Sequence, residues 1–298
     1  MLYRNFATQE ELDAEYNLYE TVPDVQIYAD FYLRESEKLR SERVHEANVP
    51  FGPTLDEYVD IYPVPENESA SPVLVYIHGG YWRARRSGEF GFVARGPASK
   101  GIATVSVNYS LCPKVKLAEI VRQIRAAVAW TYKNASSFGG DPENIHVAGH
   151  SAGGHLAATL LSTEWEEEYG LPKDIIKSAT AISGLFDLTP FPYTFMQPQL
   201  QFTWEEVRLY SPLFDIPDEA PPLLLAHGSE EPSELARQSR DYLEAWKKSG
   251  LTGDLIVLGG KNHYDVIDGF LDAESELCSA MLRMVAPSGR SGESGAVR

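Results

Sequence analysis

Cysteine is scarce in this sequence: Cys112 and Cys278 are the two present in 298 residues. They stand far apart, with no Cys-x-x-Cys or mixed Cys/His spacing around either. That pattern argues against a disulfide framework and a structural zinc site. Two thiols in a reducing compartment is the reading that remains. Long apolar runs are missing too, so no membrane-crossing helix is expected. Positive charge is in deficit: 26 Lys and Arg face 43 Asp and Glu, a formal net charge of −17. Such a surface repels nucleic acid and anionic lipid. The imbalance is concentrated in residues 1–70, where sixteen acidic side chains meet five basic ones. It reads as a solvated N-terminal region and not as a metal cage. The opening MLYRNFATQEELDAEYN lacks the apolar core of a secretory signal, so a cytoplasmic location is expected.

What is present is ordinary for a globular chain: 43% hydrophobic and 23% charged residues. The first fifty residues are charged and helical in patches, as in Phe31 to Arg43. After the turn signal Phe51-Gly52-Pro53, the YVDIY run from Tyr58 to Tyr62 alternates enough to be a half-buried strand. Short apolar runs then alternate with helical patterns. Val73–Ile77, Ile102–Tyr109, Ile145–Ala148, Ala179–Ile182, Leu223–Ala226 and Asp254–Leu258 read as strands. Leu117–Tyr132, Ser233–Ser249 and Ala273–Val285 read as helices, and Gly139 to Pro142 as a break. Alternation of this kind predicts an α/β fold with a mostly parallel sheet and helices on both faces. One domain is expected over 51–286, with a helical extension packed on it over 1–50 and a flexible Gly- and Ser-rich tail over 287–298. Residues 188–222 interrupt the rhythm with seven aromatics. They are either a lid or pocket wall, or an excursion packing its own small core.

Two motifs carry chemistry. Gly149-His150-Ser151-Ala152-Gly153 follows a strand and opens a helix. A serine on such a sharp turn is lifted above the sheet edge, near a helix N-terminus that favours developing negative charge. His78-Gly79-Gly80-Tyr81-Trp82 follows an earlier strand. Glycines there let backbone N–H groups face a carbonyl oxygen that gains charge during acyl transfer. Gly79 and Gly80, with Ala152, are the expected oxyanion donors. The cluster Arg83-Ala84-Arg85-Arg86 just beyond either attracts a substrate carboxylate to the mouth of the site or, as charge runs usually are, is a solvated patch, which is the preferred reading.

A serine needs a base. Of the seven histidines, His78 and His150 lie inside the motifs, His146 within a strand and His155 at the start of a helix facing away from the serine. His45 precedes the sheet and His227 ends a strand. His263, in the loop after the last strand, is left as the base. The acid that orients it belongs between serine and histidine in sequence. Glu231 and Glu230 in HGSEEP are candidates, and Asp187 competes.

Taken together, HGGYW, GHSAGGHL, SGLFDL, HGSEEPSELARQS and the late NHYDVI resemble the arylformamidase (kynurenine formamidase) branch of the α/β-hydrolases. The resemblance runs from about Phe51 to Leu282, and more loosely through TQEELDAEYN. It implies an α/β-hydrolase fold and hydrolysis of N-formylkynurenine to kynurenine and formate, without metal or cofactor. It places the nucleophile on Ser151, the base on His263, the oxyanion loop on Gly79 and Gly80, and the acid on Glu231, where many members carry Asp. The block Phe191 to Phe202 departs from the family, which opens the substrate to simple carboxylic esters. A hydrolase-like fold that has lost catalysis and binds a small ligand is the reading from another class. His78, Tyr81, Trp82 and His150 are expected to contact the substrate and keep the acyl side small, with Leu188 to Tyr210 on the leaving-group side. The expected partners are a small-molecule substrate and at most a second copy in a homodimer; nucleic acid and membrane are not expected.

Overall fold

The computed structural model describes residues 1–65 and 70–285. The tail expected over 287–298 lies outside the described residues. Eight strands form one sheet: β1 (Glu46–Pro50), β2 (Tyr58–Tyr62), β3 (Ser71–Ile77), β4 (Ala103–Val107), β5 (Gly140–His150), β6 (Ile176–Ile182), β7 (Leu223–Gly228) and β8 (Gly253–Leu258). Their spatial order is β1-β2-β4-β3-β5-β6-β7-β8. The β1–β2 and β2–β4 pairings are antiparallel and all others parallel. The helices are α1 (Gln9–Tyr16), α2 (Gln26–Glu42), α3 (Arg95–Ser99), α4 (Leu117–Asn134), α5 (Ala152–Thr159), α6 (Trp165–Tyr169), α7 (Gln197–Leu200), α8 (Trp204–Leu209), α9 (Ser233–Lys248) and α10 (Glu276–Val285). Among the described residues, no helix is long and apolar enough to cross a membrane.

The sheet divides the core because successive strand side chains point to opposite faces. Val73, Val75 and Ile77 of β3 enter a core shared with Ile120, Ile124 and Val128 of α4 and Leu235, Tyr242 and Trp246 of α9. Leu74 and Tyr76 enter a second core with Tyr32 of α2, Phe270, and Leu277 and Met281 of α10. Each such side chain contributes roughly 1.5–3 kcal/mol by leaving water. Both faces are therefore covered, which is why the central strands read as unbroken apolar runs. Cys112 and Cys278 are buried, and burial pushes their thiols up to about 11 and about 12, so they stay protonated and inert.

Several expected boundaries move. The strand β2 is not half-buried: four of its five residues are buried, because Asp60 turns inward and accepts from Ser87 Oγ (2.7 Å) and the Asn48 N–H (2.9 Å). Strand β5 starts at Gly140, where a break was expected, since Gly140 pairs with Ser71 of β3. Helix α2 begins at Gln26, five residues before Phe31, and α10 begins at Glu276. Strand β1 was not anticipated: its sequence EANVP is largely exposed and polar. Segment 188–222 folds into two short 3-10 turns, α7 and α8, and buries Phe191, Met196, Leu200 and Phe202 in the core beside Trp82.

The N-terminal helices are fastened to the domain by buried polar contacts. Tyr16 Oη donates to Glu234 Oε2 (3.0 Å) and accepts from Gln238 Nε2 (3.0 Å). Arg237 donates to Glu234 (2.8 Å) and Asp241 (2.8 Å). Glu15 accepts from the Glu234 N–H (3.0 Å) at the start of α9, and Asp13 from the Phe195 N–H (2.8 Å). Leaving a buried group unpaired costs about 1–3 kcal/mol. Tyr16→Phe should therefore lower the unfolding free energy by about that amount, with an unchanged urea m-value. A variant as stable as wild type in urea titration would show that the contact does not anchor the segment.

Candidate active site

Ser151 is the single residue between the end of β5 and the start of α5, and its backbone lies at φ 57° and ψ −121°. A non-glycine residue with positive φ is strained and persists only when its surroundings fix it. They do so here from both sides. The Ser151 N–H donates to the Ile182 carbonyl (2.8 Å), continuing the β5–β6 ladder, and its carbonyl accepts from the His155 N–H (3.0 Å), beginning the helix. The glycines are steric requirements. A Cβ on Gly149 would stand 2.1 Å from the Gly153 carbonyl oxygen, and one on Gly153 would stand 2.0 Å from that of Ile77. Ser151 is buried, and not the exposed turn residue that its motif suggests.

The loop after β3 lies against this turn. A Cβ on Gly79 would be 2.8 Å from the His150 carbonyl oxygen and 3.0 Å from Ser151 Cβ. Gly80 has φ +115°, and Tyr81 and Trp82 also take positive φ. None of the N–H groups of Gly79, Gly80 and Ala152 finds an acceptor among the described residues. Gly79 and Gly80 line the same cavity as Ser151, and Ala152 follows it at the start of α5, so each of these amides is left without a protein acceptor next to or near the serine.

His263 sits at the same sheet edge, in the loop after β8. Its Nδ1 is 2.7 Å from Glu231 Oε2, and since a carboxylate only accepts, Nδ1 carries the proton. The other carboxylate oxygen accepts from Ser183 Oγ (2.6 Å) and the Gly228 N–H (2.7 Å). Burial alone would raise the Glu231 carboxyl. The charge of His263 and the hydrogen bonds from His263, Ser183 and Gly228 outweigh it and hold the group below its ordinary value. Glu230 is exposed. Asp187 lies in another cluster, accepting from Tyr3 Oη (2.9 Å) and paired with Arg237 (3.4 Å). Ser183 was missed by sequence reasoning. Its signal was the SGLF stretch after β6, which places a hydroxyl at the end of the strand next to β7.

A cavity of about 60 Å³ joins these parts, lined by Gly79, Gly80, Tyr81, His150, Ser151 and His263. The remaining walls are Leu18, Tyr19, Tyr32, Ala84, Arg85, Phe90 and Tyr264. Several expectations change here. His78 and Trp82 do not line it: His78 is clamped between Tyr109 (4.3 Å between ring centres) and Phe90 (5.7 Å), and Trp82 packs on Phe191 and Phe202. Nor does any residue of 188–222; the aromatic wall comes from the N-terminal segment and the His263 loop. His155 faces the HGGYW loop, with Nδ1 accepting from Trp82 Nε1 (3.2 Å). Arg85 is no solvated residue either, since it lines the cavity and pairs with Glu89 (3.0 Å). A larger groove of about 1230 Å³ lies at the opposite, N-terminal ends of the strands, beside Ser71 and Gly140, and its lining has no histidine. Ligands of open α/β sheets bind at the carboxyl ends, where Ser151 and His263 are. Among the described residues, no group of three or more His, Cys, Asp or Glu is placed to hold a metal ion.

Comparison with known proteins points the same way. A family model described as BD-FAE matches residues 59–246. The chain is 32% identical to a kynurenine formamidase of Salmo salar, over 81% of this chain and 82% of that one. It is 30% identical to esterase LipC of Mycobacterium tuberculosis, over 78% of this chain and 63% of that one. Among solved structures, a proposed thioesterase from Silicibacter sp. superposes with a TM-score of 0.80 at 28% identity, covering 91% of this chain and 99% of that one.

The Glu231 environment makes a prediction about pH. A carboxyl whose folded value is depressed stabilises the fold above its ordinary value, here 4.5, and loses that contribution as pH falls through the folded value. Glu231→Gln should therefore be less stable than wild type at neutral pH, and the gap should narrow as pH drops below 4.5. Thermal melts of both proteins across that range test this; a gap that stays constant or widens on acidification would refute it.

Proposed function

Because this chain belongs to the BD-FAE family and is an arylformamidase-like α/β-hydrolase, we propose that it removes a formyl or other short acyl group from an aryl amine, by way of a Ser151 acyl-enzyme. N-formylkynurenine, or an aryl formamide like it, is the substrate this reading favours. The observation that carries it is the Glu231–His263 contact of 2.7 Å opening onto the same small cavity as Ser151.

In this mechanism His263 Nε2 takes the Ser151 proton as the hydroxyl attacks the formyl carbon. Glu231 fixes the tautomer and stabilises the imidazolium. The oxyanion is held by the N–H of Ala152 with Gly79 or Gly80. His263 then returns its proton to the departing nitrogen, and water, activated by the same base, releases formate. The cavity is small, about 60 Å³, which suits a short acyl group. Tyr19, Tyr32, Phe90 and Tyr264 offer faces to an aryl group. The extension over 1–50 is on this view part of the pocket of the domain over 51–286. Two free, buried thiols accord with a cytoplasmic location.

A second reading, hydrolysis of short carboxylic esters, draws on the similarity to LipC and uses the same residues. A kinetic panel of N-formylkynurenine, formanilide and nitrophenyl esters from acetyl to octanoyl separates the two. The formamidase reading expects the formyl compounds to lead, and acetyl to exceed octanoyl. Fast ester turnover with inert N-formylkynurenine would move the assignment to the second reading. Ser151→Ala and His263→Ala should each fold and lose about four or more orders of magnitude in kcat. Near-wild-type rates in either variant would remove that residue from the mechanism, and failure of wild type to label with a fluorophosphonate would point to a non-catalytic pocket.

A further inference from the structure

Buried imidazole nitrogens in this protein are paired, with two exceptions. His146 uses both, on Ser178 Oγ (2.7 Å) and Asn144 Oδ1 (2.8 Å). His155 uses both, on Trp82 Nε1 (3.2 Å) and the Tyr210 carbonyl (2.7 Å). Nε2 of His78 and Nε2 of His150 are buried without a partner among the described residues. His78 is sealed between two aromatic rings outside the cavity. His150 is different: it is 5% exposed and lines the cavity. Its ring lies 4.6 Å from that of His263 and close against Gly79. It therefore stands between His263 and the Gly79 loop, in the wall of the cavity that holds Ser151.

Leaving a buried polar atom unpaired is costly, and one at a cavity wall is placed to be completed by a ligand or a water. Burial, then the neighbouring His263, hold the His150 imidazole well below its ordinary value, so it is neutral. A neutral imidazole with the proton on Nδ1 presents Nε2 as an acceptor. An aryl formamide has one donor at its scissile nitrogen, its N–H, and the corresponding ester has none.

We propose that His150 Nε2 accepts the scissile N–H of an amide substrate and so sets the preference for amides over esters. This rests on the serine hydrolase reading above. The contact strengthens as the nitrogen turns tetrahedral. When the C–N bond breaks, its electron pair stays on nitrogen, which takes one proton from His263. The hydrogen already on that nitrogen is the one held by His150, so the product amine leaves with both and nothing is gained or lost at His150. An ester oxygen draws only on the His263 proton and makes no use of His150. Sites built to bind a donor discriminate against analogues lacking it because their own polar group is then left unpaired.

The test is the ratio of kcat/KM for formanilide to that for phenyl formate, two substrates that give the same formyl-enzyme, so later steps cancel. In His150→Phe the ratio should fall roughly tenfold or more. In His150→Asn, whose amide oxygen can still accept, part of the preference should return. Fluorophosphonate labelling of Ser151 in both variants reports that the site is assembled. A ratio unchanged in a variant that labels normally would overturn the proposal, as would a ratio in His150→Asn no better than in His150→Phe. The underlying reading fails by a different sign: a wild-type protein that neither labels nor hydrolyses either substrate, which removes the proposal with it.

Discussion

The site depends on one strained backbone turn. Ser151 can sit at φ 57° only because β5 and α5 grip it from opposite sides and the flanking glycines let the chains close on each other. The approach of Gly153 to the Ile77 carbonyl ties α5 to the end of β3, and the chain leaving β3 is the HGGYW loop. The loop leaving β3 is thereby brought onto the turn, with Gly79 close against Ser151 and Gly80 lining the same cavity. Strain costing on the order of 1–3 kcal/mol is affordable in a sheet whose central strands are buried on both faces. On the proposed mechanism the same strain preorganises the donors, since amides already held in place need not move as charge develops.

A second layer of constraint comes from the chain's beginning. Tyr81, in the oxyanion loop, donates to the Tyr16 carbonyl (2.8 Å), and Tyr16 is bonded to α9 through Glu234 and Gln238. The segment that follows contributes Leu18 and Tyr19 to the cavity wall. The acidic N-terminal region is thus only partly a solvated surface. Glu15 and Asp13 are spent on backbone N–H groups of α9 and the 188–222 segment, fixing the roof of the site to two elements of the domain.

The fold was legible in the sequence where physics is local and periodic. Runs such as VLVYI and the one-sided apolar spacing of α4 and α9 report burial directly, and the structure has those elements within a few residues of their expected ends. The chemistry was legible for a similar reason: glycines that avoid a clash and a serine at a strand–helix junction are constraints of the chain on itself. What could not be read were contacts between distant segments. Nothing local to Tyr19 or Tyr32 says that they face Ser151, and nothing in the aromatic run from Phe191 to Phe202 says that it turns inward onto Trp82 instead of toward the pocket. Strand β1 escaped because an exposed edge strand carries no apolar signal. The ambiguity between Glu230 and Glu231 was of the same kind, since which of two adjacent carboxylates faces inward depends on where Ser183 and His263 end up.

The histidines show how one residue type is sorted into different tasks by its surroundings. His78 and His155 are each pushed down to about 4 by burial, and His150 well below its ordinary value by burial and then by His263. All three are therefore neutral in the neighbourhood of the serine. His263 alone among these four has a carboxylate on its ring, at 2.7 Å. On the proposed mechanism a proton taken from Ser151 goes to that one imidazole, because only there is the resulting cation compensated. The neutral rings can then serve in ways a charged ring could not, as a flat spacer between Phe90 and Tyr109, as an acceptor for Trp82, and, in the role proposed for His150, as an acceptor for the substrate. The separation comes from pairing one imidazole with Glu231 and drying out the others.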